Sequence, residues 1–181
     1  MSRSITTDFS EFKIHNLLFK TSSGSSWTSF GCTGSLERSY EVQTITKSCE
    51  GVVVKTVTKP TGAGTLTISA HAIVSAIRAM QAMVTANNVT AQGTDTFPSF
   101  ELKCEVENED GEVMFQHYPN CSLSEAPTVT IDNSADEVGE VEYSVGLAVD
   151  DEGYLFYEAF AEDLSASTTI QTVDLPTTFG G

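Results

Sequence analysis

The sequence predicts a mostly β domain, an antiparallel β-sandwich or barrel with one packed α-helix. Three observations carry that expectation. Apolar and polar residues alternate at period two in several short segments, Gly, Pro, Asn and Asp punctuate those segments, and only one stretch repeats at the helical period. At 181 residues the chain is the size of one domain and long enough to bury a core without a covalent staple.

The segments follow in order. Phe12 to Lys20 is short and apolar and reads as a first strand. Residues 22–35 are rich in Gly and Ser, carry Trp27 and Phe30, and read as an extended loop. Leu36 to Thr46 and Gly51 to Thr58 read as the next strands, Pro60 to Gly64 as a break, and Thr65 to Ile68 as a resumed strand. The helix is placed at residues 69–86, with Ser69 as its N-cap and Asn87-Asn88 as its close. Ile73, Ile77, Met80 and Val84 then fall on one face, which the pattern assigns to the sheet. Phe100, Leu102, Cys104 and Val106 alternate with Glu101, Lys103, Glu105 and Glu107, and Asp110-Gly111 turns the chain into a return strand from Val113 to Tyr118. Val141 to Val149 alternates against Glu140, Glu142 and Ser144, and Asp150 to Gly153 turns into a return from Tyr154 to Phe160. Residues 1–165 therefore read as a single β domain and 166–181 as a C-terminal arm.

Charge is divided unevenly. Residues 1–103 hold nine Lys and Arg against seven Asp and Glu; residues 104–181 hold no Lys or Arg and 18 acids, which gives the net −16. A surface of that sign repels phosphates, so tight nucleic-acid binding is excluded, although DNA could pass such a surface without sticking. No apolar run is long enough for a membrane span, and the first residues lack the apolar core of a signal peptide, so no membrane insertion is expected and a cytoplasmic chain is the default. The cysteines at 32, 49, 104 and 121 fit no zinc spacing and are expected as reduced, structural thiols.

Catalytic chemistry finds little support. His15, His71 and His117 each stand alone in their segments, without a ligand or a base at the right spacing. Glu105-x-Glu107-x-Glu109-Asp110-Gly111 fails the calcium-loop spacing and is better explained as a charged hairpin; Asp150 to Gly153 is likewise an acidic turn, and a weak divalent site is the alternative for both. No nucleophile elbow, Walker loop or dinucleotide fingerprint occurs, so no enzyme and no cofactor is expected.

One pattern is familiar. The run Ser48 to His71, the turn Glu109-Asp110-Gly111-Glu112-Val113 followed by Tyr118-Pro119-Asn120-Cys121, the stretch Glu137 to Glu142, and Asp150 to Ala159 resemble, in that order, the major tail proteins of siphophages and related prophages. The likeness covers roughly residues 36–165, and its motifs are structural rather than catalytic. It implies a tail tube protein of the virion, held in the host cytoplasm before assembly. Such a chain self-assembles into stacked hexameric rings, with a tape measure protein and a tail terminator as partners, and DNA passes through without tight binding. Within that reading Trp27 and Phe30 are expected at a subunit interface, and Glu101, Glu105, Glu107, Glu140 and Glu142 are candidates to face the lumen. The alternative is a carbohydrate- or protein-binding β-sandwich adhesin module, for which Trp27 and Phe30 would be the exposed aromatics.

Overall fold

The computed structural model of the chain describes residues 11, 13–131, 133–134 and 139–175. Alternating segments become strands where a neighbour satisfies their backbone groups. In chain order these are β1 (Lys13–Thr21), β2 (Thr28–Ser29), β3 (Gly31–Cys49), β4 (Val52–Ala72), β5 (Val84–Ala86), β6 (Val89–Ala91), β7 (Phe100–Glu107), β8 (Val113–Leu123), β9 (Val141–Ala148) and β10 (Tyr157–Phe160). Helix α1 (Val74–Met80) lies between β4 and β5, and a single 3₁₀ turn spans Ala161–Asp163. The main sheet runs β2-β1-β7-β8-β9-β4-β3 with β10 added on β8, and β5 and β6 form a separate hairpin. Every pairing is antiparallel. The sheet curls until its ends meet, where the Phe30 amide donates to the Leu17 carbonyl at 2.8 Å. The expected class is the one observed: mostly β, antiparallel, with one helix.

Alternation explains the core. Leu17 and Phe19 of β1, Leu66, Ile68 and Ala70 of β4, Phe100, Leu102, Cys104 and Val106 of β7, and Tyr143, Val145 and Leu147 of β9 share one interior cluster. A second cluster forms on the opposite face of β1 and β8, where Leu18, Phe115 and Tyr157 meet Ile170, Val173 and Leu175. The expected C-terminal arm is thus docked on the sheet through residue 175, and residues 176–181 lie outside the described residues.

Several sequence expectations are corrected. The helix spans seven residues instead of 69–86, because Ser69 and Ala70 stay in β4, paired with Glu142 and Val141 of β9. Met80 and Ala76 are buried and Ile77 is half-buried, but Ile73 is 37% exposed and Val84, now in β5, is 61% exposed. Asn87-Asn88 does not close a helix; both residues have positive φ (50° and 64°) and turn the β5–β6 hairpin. The predicted loop at 22–35 is a short turn followed by strand from Thr28 onward. Its glycines serve close approach: a Cβ at Gly31 would strike the His71 carbonyl, and one at Gly34 the Glu140 carboxylate. Finally, Pro60 to Gly64 does not break the chain, because β4 runs straight through it. Pro60 sits opposite Val42 beside a bulge, beyond the reach of β9, where a missing N–H costs no ladder bond to a third strand.

The two acidic turns are well built. Asn108 Oδ1 accepts from the amides of Asp110 (3.0 Å) and Glu112 (2.8 Å), which fixes the β7–β8 hairpin predicted at Asp110-Gly111. Asp150 Oδ1 does the same for Glu152 and Tyr154, and the Tyr157 hydroxyl donates to its other oxygen. The segment after that turn does not return along β9; it pairs with β8, Tyr157 opposite His117.

Candidate functional site

The β3–β4 hairpin supplies the most distinctive surface. β9 pairs with β4 only from Ala63 to Ala70, so residues 41–61 continue as a two-stranded ribbon. Almost all of that ribbon is exposed. Ten residues of strand span about 30 Å. A two-residue turn with both φ positive, Glu50 (51°) and Gly51 (81°), closes the tip and matches the strand twist. Val42, Ile45, Val52, Val53, Val54 and Val57 are between 41% and 65% exposed along it.

Register sorts the ribbon into two faces. Val42/Pro60, Thr44/Thr58 and Thr46/Thr56 are opposed on one, with the Thr44 and Thr58 hydroxyls 3.2 Å apart. Gln43/Lys59, Ile45/Val57 and Lys47/Lys55 are opposed on the other. Like charges directly opposite one another are unfavourable unless a third group neutralises them. Among the described residues no acid lies in ion-pair range of Lys47, Lys55 or Lys59. Residues 41–61 carry three lysines against Glu41 and Glu50, a net +1, which leaves −17 for the rest of the chain.

The sites expected from sequence are placed as follows. Phe30 is fully buried and meets Tyr143 edge-to-face at 5.4 Å, so it is no surface anchor; it lies at the seam where the sheet ends meet, which makes it core. Trp27 is half-buried, with Lys103 and Lys20 ammonium groups 4.2 and 4.8 Å from its ring centre and His117 edge-on at 5.7 Å. The pair therefore presents no joint exposed aromatic patch.

Glu101, Glu105 and Glu107 point away from the interior, but that face is not free. Lys20 Nζ is 2.7 Å from Glu101, and His117 Nε2 lies 2.9 Å from its other oxygen. Asn16 donates to Glu105, and His15 lies 2.9 Å from Glu107. Burial pushes the Glu101 carboxyl up, yet hydrogen bonds from His117 and Lys20 hold it below the ordinary carboxylate range. Glu140 accepts from Ser69 at 2.6 Å, and both Glu140 and Glu142 remain exposed.

Sequence reasoning missed two polar assemblies, because their members lie far apart in the chain. In the first, Arg38 donates to the Tyr118 hydroxyl (2.9 Å), Tyr118 to Gln116 Oε1 (2.8 Å), Gln116 to Glu11 (2.6 Å), and Arg38 again to Glu11 (3.1 Å), closing a ring. It borders a cleft between β1 and β3 lined by Glu11, Lys13, Ile14, Ser35 and Leu36. In the second, Lys103 and His117, both buried, hold the backbone of the C-terminal segment at Val173 and Leu175.

All four cysteines are unpaired; Cys32 and Cys49 are exposed, while burial pushes the Cys104 thiol up to about 12 and that of Cys121 up as well. Among the described residues no three His, Cys, Asp or Glu side chains converge as a metal site, and no helix is long and apolar enough to cross a membrane. Hydrogen bonds from Tyr157, Tyr154 and Glu152 offset the burial of Asp150 and hold its carboxyl below its usual range, so that acid is committed to its own turn.

No family model matches the chain, and no curated protein matches it. Among solved structures it is similar to the anti-feeding prophage cap, a tube-terminating cap, at 13% identity and a TM-score of 0.43, with 89% of this chain and 100% of that one covered.

Proposed function

We propose that this chain is a structural virion subunit that self-associates head to tail into stacked hexameric rings and forms a phage tail tube. The single observation that carries the reading is the projecting ribbon of residues 41–61. It offers an opposed, unneutralised lysine pair and exposed valines, on a chain whose remainder has a net charge of −17. A surface with those properties calls for an acidic partner with apolar patches, and a second copy of the same chain supplies one. A head-to-tail contact of this kind closes into rings or extends into tubes. The sequence resemblance to siphophage major tail proteins supports the same reading, as does the absence of any recognised catalytic motif. In the tube the exposed Glu140 and Glu142 are the lumen candidates that remain, and they keep DNA moving by repelling phosphates; Glu101, Glu105 and Glu107 are engaged in local pairs. The tape measure protein and the tail terminator are the expected partners.

Electron microscopy of the concentrated protein tests this directly. Rings or tubes are expected for the native chain, and none for Lys47→Glu combined with Lys55→Glu, whose body should still unfold at an unchanged temperature. Raising salt from about 0.05 to about 0.5 M should weaken assembly, since the Debye length shrinks severalfold. A native chain that stays monomeric at high concentration overturns the tube; assembly that survives charge reversal removes the ribbon from it.

A further inference from the structure

The C-terminal segment Ser165–Leu175 has neither helix nor strand of its own, yet it covers the outer face of β1 and β8. Ile170, Val173 and Leu175 pack there on Leu18, Phe115 and Tyr157. Two side chains of the sheet catch its backbone: Lys103 donates to the Val173 carbonyl, and His117 Nδ1 meets the Leu175 carbonyl. On its other side His117 Nε2 lies 2.9 Å from Glu101.

A carbonyl and a carboxylate can only accept. Neutral imidazole has one N–H, so it can serve one of these groups and must turn a lone pair on the other; imidazolium serves both. Glu101 remains the acceptor, because Lys20 and His117 hold it ionised. We propose that residues 165–175 are a proton-gated strap, docked while His117 carries both protons and loosened when it loses one.

The other charged groups near His117, among the described residues, come from every element around it. Glu101 of β7 favours the imidazolium, while Asp174 of the strap acts on Lys103. Lys103 of β7 and Lys20 of β1 oppose it, but Lys20 is paired with Glu101, and the Lys103 ammonium is directed at the Val173 carbonyl. Tyr157 of β10 lies 6.3 Å ring to ring and turns its hydroxyl to Asp150. The two acceptors facing the ring, the Leu175 carbonyl and the Glu101 carboxylate, are its two hydrogen-bonding partners among the described residues.

The sign follows from proton counting. The docked strap holds one proton more than the loosened one, so docking is complete at low pH and weakens as pH rises through the imidazole titration, by up to about tenfold per pH unit. The experiment uses the full chain. Hydrogen exchange is followed at the Thr172 and Val173 amides, which bond to the Thr169 carbonyl at 3.0 and 2.8 Å. Rates are corrected for intrinsic base catalysis, and the ¹⁵N shifts of the His117 ring are read in the same samples. Protection in the native chain should fall at least tenfold between the pH at which the ring shifts report the imidazolium and the pH at which they report the neutral ring. His117→Gln, with no proton to lose, should give weaker protection that does not change with pH. Protection that is flat in the native chain, or a neutral ring with the strap still docked, overturns the proposal. The ring shifts decide the matter on the native protein even if the variant fails to fold.

Discussion

At the scale of single residues, the closed ring of Arg38, Tyr118, Gln116 and Glu11 shows how a polar group survives inside an apolar sandwich. Each link of the ring joins a donor to an acceptor, and the Tyr118 hydroxyl both accepts from Arg38 and donates to Gln116. Removing that one oxygen leaves the Arg38 guanidinium short of a partner and Gln116 Oε1 with only a weak thiol contact from Cys104. Tyr118→Phe should therefore cost about 1–3 kcal/mol, read as a lowered urea midpoint at unchanged slope, although the substitution adds no cavity. None of this was legible in the sequence. Arg38 lies 80 residues from Tyr118, and Glu11 lies 105 from Gln116, so no local spacing announces them. His117 likewise reads as solitary, because its partners are 16 and 58 residues away.

At the scale of elements, strands were legible and helix ends were not. Period-two alternation in 100–107 and 141–149 places the interior residues on the side that the structure buries, because alternation is a local consequence of the pleat. The helical spacing of Ile73, Ile77, Met80 and Val84 runs past both ends of the helix, since only Ile77 and Met80 lie within it. The competing alternation of Leu66, Ile68 and Ala70 wins, since β3 and β9 bond both edges of β4 there. Within the short helix, burial ranks the side chains. Met80→Ala should cost about 2–5 kcal/mol in chemical denaturation, as expected for a fully buried side chain. Ile77→Ala should cost clearly less than Met80→Ala in the same measurement, since that side chain is only half-buried. The Gly/Ser-rich stretch misled for a related reason. Glycine marks a flexible loop and a strand under close backbone approach with the same letter, and only the neighbours of Gly31 and Gly34 tell the two apart.

At the scale of the whole molecule, body and ribbon are separable. The interior cluster draws on no residue between 41 and 61, so the body's stability does not depend on the ribbon. Replacing residues 42–60 with an Asn-Gly turn should leave thermal unfolding cooperative and within a few degrees of the native midpoint, measured by circular dichroism; a collapse of the fold would place core contacts in the ribbon. The uneven charge that the sequence displays along its length survives in space as a contrast between a lysine-bearing ribbon and an acidic body. The cover on the outer face of β1 and β8 is not legible in the sequence, because the residues that form it, Ile170, Val173 and Leu175, follow no regular period.

The position of β1 has a consequence for how the chain is made. Its ladder partner is β7, and paired residues are separated by 79 positions at Thr21↔Phe100 and 94 at Lys13↔Glu107. A ribosome working at about 5–20 residues per second takes roughly 4–19 s to cover that interval. During it the first strand is out of the tunnel with its hydrogen-bonding edge unmet, while the β3–β4 hairpin, whose partners are close in sequence, can already zip. The sheet can close only when β7, β8 and β9 have all emerged, and the strap can dock only after residues 165–175 have followed them. Nascent chains therefore pass through an interval with an open, pairing-competent edge, and in a cell making many copies that interval, more than the finished fold, sets the demand on chaperones.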